Sequence, residues 1–108
     1  MVLKIETFDY DSKTWRQVAV MGPGNPAGSL SGVRQSQRQL YLFECGEDDM
    51  HSAIYRSTRG IDVAEGNQRI VNTEGCELLR ELARGESYIL QVKTDSSPKE
   101  RKVRFTHI

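Results

Sequence analysis

Apolar and polar residues alternate with period two along much of this chain, and the rhythm breaks at clusters of Gly, Pro, Asp, Ser and Asn. Successive side chains of a strand point to opposite faces, so this pattern predicts short strands separated by turns. Residues 2–9 and 14–21 are rich in Val, Ile, Thr, Phe and Trp and flank Asp9, Asp11, Ser12 and Lys13, which reads as a hairpin. On its first strand Leu3, Ile5 and Thr7 share one face, while Val2, Phe8 and Tyr10 share the other. Apolar groups on both faces fit a strand covered by the core on one side and by a loop or a neighbouring chain on the other.

Residues 38–45 form an apolar run closed by Gly46 and are expected to be a central strand. Beyond the acidic turn Glu47, Asp48 and Asp49, a strand is expected over 52–58, with short extended pieces over 61–64 and 69–73 around the turn signal at 65–68. Residues 86–94 and 101–108 alternate cleanly: Tyr88, Leu90 and Val92 face one way on the first, and Val103 with Phe105 share a face on the second. The stretch 74–84 is ambiguous, because Leu78, Leu79 and Leu82 fall on one helical stripe while Leu78 and Leu82 also share a strand face. Its end signals favour a short helix: Thr73 as N-cap, Glu74 and Glu77 in the first turn, Arg84 in the last, and Gly85 beyond it.

One segment carries no such rhythm. Residues 22–37 hold four of the nine glycines and two of the three prolines, and they are expected to form a long loop free for contacts. A phosphate cradle is not supported there, since Gly22, Gly24 and Gly28 match neither dinucleotide-binding nor P-loop spacing. With 108 residues the chain has the length of one domain. Strands following strands, about seven in all with at most one short helix near 74–84, predict an all-β, single-domain antiparallel sandwich and exclude a parallel α/β sheet.

Within that class, the run Leu82, Ala83, Arg84, Gly85, Glu86, Ser87, Tyr88, followed by Leu90 and Val92, resembles the tyrosine corner of immunoglobulin-like and fibronectin type III sandwiches. There a Leu stands six residues and a Gly three residues before a Tyr that opens the penultimate strand. Arg84 and Glu86 depart from the family's usual Pro and Thr. The resemblance spans these few residues and implies a fold used mostly for binding, with no catalytic residue carried over.

Charge narrows the partner class. Fifteen Lys plus Arg balance fifteen Asp plus Glu, so no global field draws the molecule to nucleic acid or to an anionic membrane. No apolar run has the length of a signal peptide or a membrane span, and a cytoplasmic location is expected. Cys45 and Cys76 are the only cysteines; two free thiols are the expected state, with a single disulfide open in an oxidising setting. Cys45, His51, Cys76 and His107 lack metal-ligand spacing, so no metal, cofactor, small-molecule substrate or catalytic site is expected.

The expected function is therefore a non-catalytic module that binds another protein or a second copy of itself. Its contact region would combine the 22–37 loop, with Asn25 and Leu30, the adjoining Arg34 and Arg38, and Trp15 as aromatic anchor. Simple core packing is the competing role for Trp15. The alternative function is a single-stranded nucleic-acid binder using Tyr41, Phe43, Tyr55 and Arg56 on one sheet face. The basic stretch Lys99, Arg101, Lys102 and Arg104 reads as the solvated face of an edge strand.

Overall fold

A computed structural model describes residues 2–22, 28–34, 37–46, 50–57, 75–94 and 97–108, with backbone only for 28–34 and 37–40. Among the described residues eight strands run in chain order: β1 (Leu3–Asp9), β2 (Thr14–Met21), β3 (Gly28–Arg34), β4 (Gln37–Cys45), β5 (His51–Ser57), β6 (Cys76–Ala83), β7 (Ser87–Lys93) and β8 (Glu100–His107). They form two four-stranded antiparallel sheets, β2-β1-β8-β7 and β3-β4-β5-β6. This is the all-β sandwich that the alternation predicts. Every ladder neighbour is consecutive in sequence except β1 and β8, which pair the first strand with the last. Among the described residues the strands thus follow one another as a meander, and the last returns to pair with the first.

The hairpins expected at 2–9/14–21 and 86–94/101–108 are β1–β2 and β7–β8, and β4 lies inside its sheet between β3 and β5. Two expectations are corrected. Residues 76–83 are strand β6, not helix, paired to β5 from His51 opposite Ala83 to Ser57 opposite Cys76. A bulge in this ladder, where Leu79 is the extra residue between the pairs Ile54–Arg80 and Tyr55–Leu78, explains the misleading period. The second correction concerns the 22–37 loop, of which 28–34 is strand β3. Gly28, Ser29, Ser31 and Gly32 give no side-chain rhythm, but the main chain of β3 pairs with β4 along its length. The extended pieces expected at 61–64 and 69–73 lie outside the described residues.

One core fills the space between the sheets. Leu3, Ile5, Leu90, Val92, Val103 and Phe105 from the first sheet meet Tyr41, Phe43, Cys45, Ile54 and Leu82 from the second. The rings of Phe43 and Phe105 lie 5.2 Å apart across the interface. The strand β7 touches both β3 and β6, the two edges of the opposite sheet, so it crosses that sheet. It is reached from β6 by a tight corner in which Gly85 adopts φ 87° and its amide donates to the His107 carbonyl at 2.7 Å. The His107 amide donates in turn to the Glu86 carbonyl at 3.0 Å, tying the corner to the end of β8. No helix among the described residues is long and apolar enough to cross a membrane.

Candidate functional site

Strand alternation leaves Lys4, Glu6 and Phe8 of β1 and Lys102, Arg104 and Thr106 of β8 on the side of the first sheet that faces away from the core. The β1–β2 turn sets what joins them. Asp9 Oδ1 accepts the amides of Asp11 at 2.9 Å and Ser12 at 3.4 Å, and Lys13 takes up the left-handed φ of 57° that lets the chain reverse. The carboxyl of Asp9 is held below its usual range, first by the amide of Asp11, then by that of Ser12. With the turn so fixed, Phe8 stands opposite Trp15.

An aromatic cluster results. The Phe8 ring is 5.3 Å from Trp15 and 5.1 Å from Tyr10, edge-on to both. Two cations lie against it: the Arg104 guanidinium is 4.4 Å from the Trp15 ring centre, and Lys102 Nζ is 5.7 Å from that of Phe8. Arg104 is oriented by Glu6, whose Oε1 accepts its Nε–H at 3.0 Å, with Lys4 Nζ at 3.9 Å from the same oxygen. The Arg104 hydrogen bond holds the Glu6 carboxyl below its usual range, against the opposing effect of burial. The series Glu6, Arg104, Trp15 is therefore a fixed stack of carboxylate, guanidinium and indole, with Ile89 and Tyr10 exposed nearby on the same sheet.

Trp15 is the one expected contact residue found here; it is half-buried and outside the core cluster. Asn25 lies outside the described residues. Leu30 and Arg34 are on β3 and Arg38 is on β4, so their backbone belongs to the other sheet from Trp15. The expected contact region is thereby divided. The four residues of the nucleic-acid alternative do not share an exposed face: Tyr41 and Phe43 are buried in the core, and Tyr55 pairs with Leu42 on the opposite side of the sheet. Tyr55 donates its hydroxyl to Glu44 at 2.9 Å, and Arg56 donates to Glu77 through Nε at 3.1 Å and through a terminal nitrogen.

Phe8, Tyr10, Lys102 and Arg104 were not identifiable as a unit from the sequence. Their signal, Phe8 and Tyr10 on one face, is visible there, but β8 reads as an edge strand. It lies instead between β1 and β7.

The potentially reactive side chains are dispersed. Cys76 and His51 sit at opposite ends of the β5–β6 ladder, and both cysteines are free thiols, Cys45 buried. Ser52 and His107 are hydrogen-bonded, yet their relative exposures are 2% and 0%, which leaves no approach for a substrate. Among the described residues no three His, Cys, Asp or Glu side chains are grouped to hold a metal ion. No protein family, curated protein or solved structure matches the chain.

Proposed function

We propose that this chain is a non-catalytic protein-interaction module whose contact surface is the outer face of β2-β1-β8-β7. The observation that carries the reading is the aromatic cluster of Phe8, Tyr10 and Trp15 with Arg104 stacked on the indole, set on the solvent side of a sheet rather than in the core. Tyr, Trp and Arg dominate the energetic centres of protein interfaces, because they cover large apolar area while keeping a polar handle. A prepositioned stack also loses little side-chain freedom on binding. The Arg104 charge is largely matched by Glu6, and the chain's net charge is zero, which favours a protein partner over a phosphate backbone.

Affinity capture from an extract, with the unaltered chain and with Trp15→Ala and Phe8→Ala, tests this. The expected result is a protein retained by the unaltered chain and lost by both variants, with their unfolding free energies in urea within about 1 kcal/mol of the parent's. Undiminished retention by both variants removes the proposal. Retention abolished by nuclease treatment supports the nucleic-acid alternative instead.

A further inference from the structure

The outer face of the first sheet has a sign as well as an aromatic centre. By strand alternation, its charged side chains among the described residues are four cations, Lys4, Lys93, Lys102 and Arg104, and two carboxylates, Glu6 and Glu100. The face is therefore positive by two charges on a chain whose net charge is zero. The β1–β2 turn beside it adds one exposed group of each sign, Asp11 and Lys13, and leaves the balance unchanged.

The excess lies at the aromatic cluster. Glu6 is nearly buried, and one of its oxygens serves both Arg104 at 3.0 Å and Lys4 at 3.9 Å. A carboxylate shared by two cations leaves one positive charge uncompensated. Lys102 supplies the other: it meets the Phe8 ring and has no ion-pair partner among the described residues. Lys93 and Glu100 stand opposite each other at the end of the β7–β8 ladder and balance there. The two lysines that matter flank the stack. Lys4 pairs with Thr106, two residues from Arg104 along β8, and Lys102 is two residues from Arg104 in the other direction. Their backbone positions are thus about 14 Å apart along the strand direction. Between them lie Arg104 and, beside it on β7, Ile89, which is 49% exposed.

We infer that the partner of this face is an acidic protein segment, with two carboxylates meeting Lys4 and Lys102 while an apolar side chain between them covers Ile89 and the Arg104–Trp15 stack. The inference rests on the proposed reading of this face as a protein contact and adds the chemistry that selects the partner. A second copy docked through the same face would set like charge against like charge, whereas an acidic surface gains at both lysines. A phosphate backbone shares the required sign, but its regularly spaced charges would also fall on Glu6 at the centre of the face. Discrete carboxylates can be spaced to avoid it.

The test uses fluorescein-labelled peptides and fluorescence polarisation on the full chain. Gly-Glu-Ser-Phe-Ser-Glu-Gly places its two carboxylates four residues apart, on one side of an extended chain and at the spacing of the lysines. It should bind about tenfold more tightly than the same peptide with Gln for Glu. The preference should disappear in the double variant Lys4→Gln, Lys102→Gln. In Lys4→Glu, Lys102→Glu it should turn round in favour of Gly-Lys-Ser-Phe-Ser-Lys-Gly. Raising the salt concentration should weaken the Glu peptide more than the Gln peptide. Equal binding of the Glu and Gln peptides, binding of neither, or a preference that survives in the double Gln variant overturns the inference. So does tighter binding of a single-stranded oligothymidylate than of the Glu peptide, which would mark a phosphate-binding face, or a dimer of the chain that Trp15→Ala dissociates. The two readings separate in the capture experiment: loss with Trp15→Ala but not with the double Gln variant removes the acidic partner and leaves the face standing.

Discussion

His107 Nδ1 lies 3.2 Å from Ser52 Oγ, a buried hydrogen bond that joins β8 of one sheet to β5 of the other. Both side chains are almost fully removed from solvent, in an interface otherwise packed with apolar groups. A buried polar atom that loses its partner pays a desolvation cost larger than the net worth of the bond. Ser52→Ala should therefore lower stability by about 1 to 3 kcal/mol, and His107→Ala by about 2 to 4 kcal/mol because it also leaves a cavity. Urea unfolding checks both through a lower midpoint at unchanged slope; a Ser52→Ala midpoint equal to the parent's would show that this bond does not hold the sheets.

The pair Glu6 and Arg104 predicts a pH dependence of defined sign. Glu6 titrates below its ordinary value of 4.5, chiefly through its hydrogen bond from Arg104. A carboxyl depressed in the folded state contributes stability that is complete above its unfolded pKa and is lost as the pH falls through its lower, folded pKa. Stability should thus drop as the pH is taken down from about 5 to 3, and the drop should be shallower in Glu6→Gln. It should not vanish there, because Asp9 is depressed as well and acts with the same sign. At neutral pH Glu6→Gln should cost about 1 kcal/mol, as expected for a partly exposed ion pair. Urea midpoints of the two proteins across this pH range test the prediction, and parallel curves would contradict it.

What the sequence shows and what it conceals follow from the range of the interactions. The strands β7 and β8 are legible from their alternation of inward and outward groups, as Leu90 and Val92 show against Gln91, β4 from its apolar run, and β1, β2 and β5 from β-prone residues between turn signals. In β3 the small residues leave no such record, and only the ladder to β4 defines the strand. The aromatic anchor Trp15 is legible as a residue type. Its setting is not, since the Glu6–Arg104 contact that fixes the stack spans 98 positions and depends on the closure of β1 onto β8. Likewise Tyr41 and Phe43 look the same in sequence whether they face solvent or core, and the meander turns them inward.

Two turn residues predict substitutions of opposite outcome. Gly85 has φ 87°, and a Cβ added there would meet nothing within 4 Å, so Gly85→Ala suffers from backbone strain alone. It should destabilise by about 1 to 2 kcal/mol, and the corner it forms between the sheets should open more often. Lys13, an ordinary residue at φ 57°, already bears such strain. Lys13→Gly relieves it and should be neutral or stabilising by up to about 1 kcal/mol. Thermal unfolding of the two variants decides the matter: a gain for Gly85→Ala or a clear loss for Lys13→Gly would contradict these backbone assignments.

The bulge in β6 yields the sharpest contrast. Leu82 is fully buried, while Leu79, the bulged residue, packs partly against the core and Leu78 is 51% exposed. The extra residue moves the inward position by one, so two leucines three apart both turn to the core, as they would on a helix, and the one four apart does not. A helix over this stretch would place Leu78 and Leu82 on one stripe and make both costly to truncate. The strand with its bulge predicts instead a loss of about 2 to 5 kcal/mol for Leu82→Ala, about 1 to 2 kcal/mol for Leu79→Ala, and within about 0.5 kcal/mol for Leu78→Ala. Removing Leu79 to restore a regular ladder leaves Leu78 opposite Tyr55, on the side of the sheet that faces away from the core. Leu78→Ala should therefore stay within about 0.5 kcal/mol in that background too, and urea unfolding of Leu78→Ala in the two backgrounds checks it: a loss in the range of a buried leucine would contradict this register.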